Sequence, residues 1–149
     1  MIGQLDEAAI NNLLSCQAIG RLACCFKNRP YIAPITFSFD GKYLYGQTNF
    51  GKKLRAMRKN PNVCVEIDIV TDMRNWQYVV VYGVFKELKK EEAEEARKIF
   101  LSSVYPLETK STVHSFEHTV NYNVDDSTRI KSTMYKIKIK KIIGRFEKQ

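Results

Sequence analysis

Two strand-like runs joined by Asp40-Gly41 constrain this chain more than any other stretch. Tyr31-Ile32-Ala33-Pro34-Ile35-Thr36-Phe37-Ser38-Phe39 precedes the dipeptide and Lys42-Tyr43-Leu44-Tyr45-Gly46 follows it. β-Branched and aromatic residues suit a pleated, half-buried surface. Asp-Gly is a strong hairpin signal, because a type I′ turn needs positive φ at both central positions. Pro34 cannot donate to a ladder, so the first run is expected to be an edge strand or to bulge at that point. Either arrangement leaves backbone groups near Pro34 available to a ligand.

Residues 5–15 read as a helix with Leu5, Ala9, Ile10, Leu13 and Leu14 near one face and Asp6 as its cap. Ile19 to Phe26 reads as a strand. Gly51 to Lys59 reads as a helix with Leu54 and Met57 inward, stopped by Asn60-Pro61. Strands are expected over Asn62–Val70 and Trp76–Leu88. A charged helix is expected over Lys89–Ser102, with Ala93, Ala96, Ile99 and Phe100 inward. A last strand is expected over Thr133–Phe146, broken at Gly144. Residues 103–131 show no clear period. With no repeat and no Pro/Gly/Ser linker, residues 1–149 are expected to form a single domain. Six strands and three helices that do not alternate one for one imply a mainly β, α+β chain. The expected fold is an antiparallel barrel with flanking helices.

The balance of 44% hydrophobic and 27% charged residues is that of a globular protein. No apolar run approaches the roughly 18 residues of a membrane span. The start, Met1-Ile2-Gly3-Gln4-Leu5, lacks a basic segment followed by an apolar one, so a cytoplasmic location is expected. Cys16, Cys24, Cys25 and Cys64 have no C-x-x-C spacing and are read as reduced thiols in apolar surroundings. His114 and His118 are spaced i, i+4, but the H-E-x-x-H order is absent and no metal site is expected. Asp125-Asp126 reads as a turn.

The net charge of +8 is clustered in Lys52, Lys53, Arg55, Arg58 and Lys59, and again along Lys136-Ile137-Lys138-Ile139-Lys140. Alternation in the second cluster fits a half-exposed strand with lysines outward. A polyanion-binding face is the other reading, and a barrel that binds nucleic acid through this strand is the corresponding alternative function. A nucleic-acid partner is not the expectation.

Thr48-Asn49-Phe50-Gly51-Lys52-Lys53 carries the chemistry. It joins a strand end to a helix start, where unpaired N–H groups and the helix dipole favour an anion. Gly51 permits close backbone approach, Thr48 offers a hydroxyl, and Lys52 and Lys53 add charge that opposes the dipole unless an anion is near. A solvated helix start is the alternative, and the P-loop spacing is missing. The hairpin bearing Pro34 lies beside this segment, so a planar heterocycle could meet its backbone while a phosphate tail reaches the lysines. Trp76 offers a stacking face and an indole N–H, or else serves as a barrel-rim residue.

Leu22-Ala23, Pro34-Ile35-Thr36-Phe37, Asp40-Gly41, Leu44-Tyr45, Thr48, Gly51-Lys52-Lys53, Asn60-Pro61, Val63-Cys64-Val65-Glu66 and Trp76 to Gly83 occur here in an order that resembles a known family. It is that of the pyridoxamine 5′-phosphate oxidase-related, FMN-binding split-barrel proteins. Within it, the chain is most similar to the Nim-type proteins linked to nitroimidazole resistance. The resemblance implies a homodimeric split barrel with two FMN molecules at the subunit interface. It implies that Ile35, Thr36 and Phe37 meet the isoalloxazine through the backbone, and that Thr48, Lys52 and Lys53 hold the phosphate. Pro34, Gln47 and Gly51 complete the contact set, and Trp76 and its neighbours approach from the partner strand. The implied activity is reduction of a small planar acceptor by a reduced nicotinamide. A flavin- or haem-binding module without catalysis is the alternative. Nim-type sequences often place a histidine shortly before the Gly-Lys-Lys turn, whereas Tyr45-Gly46-Gln47-Thr48 has none, so no catalytic residue is assigned.

Overall fold

The computed structural model describes residues 1–108 and 132–149. His114, His118, Asp125 and Asp126 lie outside the described residues. In chain order the elements are β1 (Ile2–Gln4), α1 (Glu7–Cys16), β2 (Ile19–Phe26), β3 (Arg29–Thr36), β4 (Ser38–Phe39), β5 (Tyr43–Thr48), α2 (Lys52–Lys59), β6 (Asn62–Asp72), β7 (Asn75–Glu87), α3 (Lys90–Glu108) and β8 (Thr133–Glu147). The mainly β, antiparallel architecture with flanking helices is as expected, with eight strands among the described residues where six were counted. One extra strand is the short β1 along β8, and the other arises because the run 31–39 is divided at Phe37.

That division splits the barrel. The ladder order is β3-β2-β6-β7-β8-β5-β4. The strands at its two ends, β3 and β4, are consecutive in the chain, with Phe37 alone between them. Phe37 turns the chain from one ladder to the other: its N–H donates to the Ala18 carbonyl at 2.9 Å, and Ser38 then pairs with Tyr45. One stretch therefore serves both edges of the sheet, and the barrel is split where it hands over.

Two turns differ from the sequence reading. Gly41 has φ 99°, but Asp40 does not have a positive φ, so Asp40-Gly41 is not a type I′ turn. Instead the Asp40 carboxylate accepts from the backbone N–H groups of Lys42 and Tyr43 at 2.8 and 2.7 Å, a side chain-built turn. The positive-φ pair is Lys27-Asn28, at 51° and 61°, in the two-residue link closed by Phe26 and Arg29. β8 is not broken at Gly144. The irregularity falls at Lys140, which has no partner between the pairs Gly83–Ile139 and Tyr82–Lys141.

The barrel interior is filled by alternate side chains, with Leu22, Val65, Ile67, Val79, Val81 and Ile137 fully buried. α1 forms because Asp6 caps it, accepting from Ala9 N–H at 2.8 Å, and it delivers Leu13 and Leu14 to the core. α2 delivers Leu54 and Met57, as its spacing implied. α3 covers the outer face of β5 and β8 with Ala96, Phe100 and Val104 against Met134 and Leu88. Ile99, expected inward, is 46% exposed, because the buried stripe runs i, i+4, i+8 through Ala96 and Phe100. No helix among the described residues is long and apolar enough to cross a membrane.

Tyr135 is the largest fully buried side chain, and a Cβ added to Gly46 would sit on its hydroxyl. That hydroxyl has no hydrogen-bond partner among the described residues, and burial pushes its pKa far up. Tyr135→Phe should therefore be neutral or stabilise by up to ~1 kcal/mol. Gly46→Ala should cost ~1–3 kcal/mol, less in the Tyr135→Phe background. Denaturant midpoints of the four proteins check both effects. A clear loss of stability in Tyr135→Phe alone would show that the hydroxyl is partnered.

Candidate functional site

β3 is an edge strand, as Pro34 required, and it pairs with β2 without a register shift, so the alternative of a bulge at Pro34 does not hold. The antiparallel ladder alternates, and the Phe37–Ala18 bond sets its phase. Residues 29, 31, 33 and 35 exchange bonds with β2, while the backbone groups of 30, 32, 34 and 36 face the free edge. Both prolines, Pro30 and Pro34, stand at outward positions where their missing N–H costs the ladder nothing. Only Ile32 and Thr36 keep outward N–H donors on β3. Ile35 (6% exposed) and Phe37 (1%) anchor this backbone in the core, and because the backbone groups of Ile35 are spent on β2 and the Phe37 N–H on Ala18, Thr36 is the one of the three whose N–H faces outward.

The turn after β5 supplies charge. Gly51 precedes α2 in an extended conformation and makes no side-chain cap, and the first turn carries no acidic residue. The first intrahelical bond runs from Arg55 N–H to the Gly51 carbonyl at 3.0 Å, so the N–H groups of Lys52, Lys53 and Leu54 have no partner within the helix. Nothing lies within 4 Å of where a Cβ on Gly51 would stand. Open space, uncapped amides and two lysines make a donor set that fits a phosphate. Thr48 is buried, and its hydroxyl donates to the Asn49 carbonyl at 3.2 Å, so it must turn before it can donate to an anion. Gln47 accepts from the Ser132 hydroxyl at 3.2 Å and pairs along the backbone with Met134.

Lys52 is exposed, with its ammonium 5.5 Å from the Tyr31 ring centroid, so the start of α2 lies beside the middle of the β2–β3 hairpin. Lys53 is half-buried against the barrel mouth. Burial lowers its pKa, and the nearby Cys24 thiol opposes that shift. The Cys24 thiol is raised by its own burial and pulled back by Lys53. Cys24 is buried and Cys25 is not, as adjacent strand positions require.

Between the β2–β3 hairpin and α2 runs a groove of about 830 Å³, lined by Lys27, Arg29, Tyr31, Lys52, Arg55 and Lys59 among others. No carboxylate lines it among the described residues. The sequence identified the α2 cations as a cluster but not their hairpin counterparts. The positive-φ turn at Lys27-Asn28 was the missing signal, since it brings Lys27 and Arg29 round to face α2.

Trp76 is elsewhere. It pairs with Glu147 at one end of β8 while Thr48 pairs with Thr133 at the other, a strand path of roughly 45 Å at ~3.3 Å per residue. Its indole N–H donates to the Glu147 carboxylate at 2.9 Å, and its ring stacks on Tyr78 at 5.8 Å between centroids. Within one chain it does not join the lysines.

The sequence matches the family model described as pyridoxamine 5′-phosphate oxidase over residues 6–146. An uncharacterized protein of Rhizobium meliloti is 43% identical over 70 residues, which span 47% of this chain and 46% of that protein, so the match covers about half the length of this curated relative. Among solved structures, an FAD-binding protein from Mesorhizobium loti superposes with TM-score 0.76 at 24% identity, covering 99% of each chain. A protein named for 5-nitroimidazole antibiotic resistance, from Bacteroides thetaiotaomicron, superposes with TM-score 0.70 at 15% identity, covering 98% of this chain and 87% of that one.

Because Lys53 is held below the ordinary lysine value of 10.5, the folded protein binds fewer protons than the unfolded one between the two pKa values. Stability without a bound anion should therefore rise with pH across that alkaline window, and anion affinity should fall across it. Lys53→Met should flatten both dependences. Unfolding midpoints and phosphate titrations over the window check this, and a wild-type profile identical to that of Lys53→Met would refute it.

Proposed function

The chain belongs to the pyridoxamine 5′-phosphate oxidase family, and on that premise we propose that it is a flavoprotein that binds FMN through the start of α2 and the outward edge of β3. One observation carries the proposal: an uncapped helix start, open at Gly51 and bearing Lys52 and Lys53, beside a strand edge stripped of donors except at Ile32 and Thr36. Tyr31 to Thr36 covers ~16 Å of strand, a length suited to a phosphate at one end and a planar ring at the other. FMN is the smallest phosphorylated flavin that uses both. The FAD-binding protein of the same fold supports a flavin.

The parts divide the work physically. The amides of α2 with Lys52 and Lys53 hold the phosphate dianion. The Thr36 N–H and the Pro34 carbonyl offer a donor and an acceptor to the edge of a heterocycle. Ile35 and Phe37, locked in the core, keep that backbone from moving. A bound flavin supplies the redox chemistry, and the chain supplies position and field. The reaction we propose is transfer of reducing equivalents from a reduced nicotinamide to a small planar acceptor. A nitroimidazole-like compound is the first to try, given the resistance-named neighbour.

The proposed assembly is a homodimer joined over the outer face of β2, β6 and β7. This face carries Tyr78, Val80 and the 43% exposed Tyr82 around the Arg21–Glu66–Asp68 ion cluster. The proposed location is the cytoplasm.

Purified protein should be yellow, or become so with added FMN. Lys52→Ala/Lys53→Ala should lose roughly 10²-fold or more in affinity, from two charge-assisted contacts of ~1.5–3 kcal/mol each. Flavin fluorescence quenching measures this, and unchanged binding in the double variant would overturn the site. Reduced flavoprotein mixed with candidate acceptors then separates enzyme from carrier. If none reoxidises it faster than oxygen does, the reductase reading fails. The mass in solution tests the dimer.

A further inference from the structure

The groove between the β2–β3 hairpin and α2 holds more positive charge than one phosphate calls for. Lys53 and the α2 amides already suffice for a terminal phosphate, yet Lys27, Arg29, Arg55 and Lys59 line the space beyond Lys52. Arg58 also lines the groove, but a two-point bond to Glu87 at 2.9 and 2.7 Å already engages its guanidinium. Lys52, Arg55 and Lys59 stand at i, i+3 and i+7, so their Cα atoms are stepped by ~4.5 and ~6 Å along the helix axis. Such a track meets successive phosphates over ~10 Å, too short for an extended polyanion to gain much from it. The opposite wall is aromatic. Tyr31 lies under Lys52 and Phe26 under Lys27, each with the ammonium 5.5 Å from the ring centroid. A volume of about 830 Å³ accommodates a nucleotide.

We infer that this groove binds the adenosine-diphosphate half of a dinucleotide, its phosphates along Lys52 and Arg55 toward Arg29 and its base against the aromatic wall. The inference rests on the flavin reading only in sharing Lys52. The chemistry has two sources: the resident flavin carried as its adenine dinucleotide, or the adenine end of a reduced nicotinamide dinucleotide that docks beside it. A single-stranded nucleic acid would use the same charges, but the groove's length and its junction with the phosphate site at Lys52 favour a ligand that ends there.

Calorimetric titration of the full chain with ADP, FMN, FAD and a short oligothymidylate tests this, on the wild type and on Arg29→Ala/Arg55→Ala. Thermal melting verifies that the variant is folded, and Arg55→Gln replaces it if it is not. ADP should bind the wild type and lose about tenfold or more in the variant, with FMN affinity kept within about threefold. FAD exceeding FMN in the wild type but not in the variant identifies the flavin as the source. Equal FMN and FAD affinities, with ADP displacing the nicotinamide dinucleotide, identify the donor. ADP binding without any flavin binding would support the groove and defeat the flavin reading. Absent ADP binding together with equal FMN and FAD affinities overturns the groove and leaves the flavin reading standing. ADP binding unaltered by the substitutions, or an oligothymidylate bound more tightly than ADP, also overturns it.

Discussion

The barrel depends on Phe37. Its side chain is buried at 1% exposure while its N–H is tied to Ala18, so the chain is pinned where it leaves one ladder and enters another. A sheet whose two end strands are one continuous segment cannot be opened without breaking that pin. The arrangement also manages the exposed edges that open sheets carry. β4 is two residues long, and β3 presents prolines at two of its outward positions. The same prolines that guard the edge leave only the Ile32 and Thr36 N–H groups facing outward, so they would also set which donors a ligand met there.

From that frame the charged end of the molecule follows. β5 must finish at Thr48 to stay in register with Thr133 on β8, and the chain then turns into α2, whose Leu54 and Met57 plug the barrel mouth. Burying those two side chains fixes the helix on the barrel, with Lys52 at its start reaching the Tyr31 ring of β3. Lys53, on the side nearest the mouth, is drawn half inside and loses part of its preference for the charged form. Lys52, one residue earlier, stays in water over Tyr31.

Much of this was legible in the residues. Strong alternation and clear stop signals placed β2 and α2 almost to the residue, because Leu22 and Cys24 or Leu54 and Met57 have only one face on which to be buried. The capping role of Asp6 was equally plain. What escaped depended on partners distant in sequence. The break at Phe37 is invisible locally, since Ser38-Phe39 continues a strand-like run and only the Ala18 bond and the β5 ladder divide it. Lys27-Asn28 lacks the glycine that signals a tight turn, so the sharper hairpin leaves no local mark, whereas Asp40-Gly41 carries the mark and is turned instead by a carboxylate. Ile99 was placed inward by its type, whereas the stripe through Ala96, Phe100 and Val104 is set by what β8 offers. Of the candidate site, the lysine-bearing turn at Thr48 to Lys53 was visible and the opposing wall of the groove was not.

The cations around α2 are unfavourable to the fold taken alone. Lys52 and Lys53 oppose the positive end of the helix dipole, each at ~0.3–1 kcal/mol. Lys52–Arg55 and Arg55–Lys59 are like-charge neighbours at helical spacing, each costing ~0.2–0.5 kcal/mol. Lys27 and Arg29 then face them across the groove without a lining carboxylate among the described residues. The chain neutralises comparable charges readily, pairing Arg58 with Glu87 and Arg21 with Glu66 and Asp68. Of the cations lining this groove only Arg58 has a carboxylate partner among the described residues, which leaves a positive field along the rest of it. An anion bound there would cancel the mutual repulsion as well as form new bonds, so its affinity would exceed what the individual contacts give on a neutral scaffold.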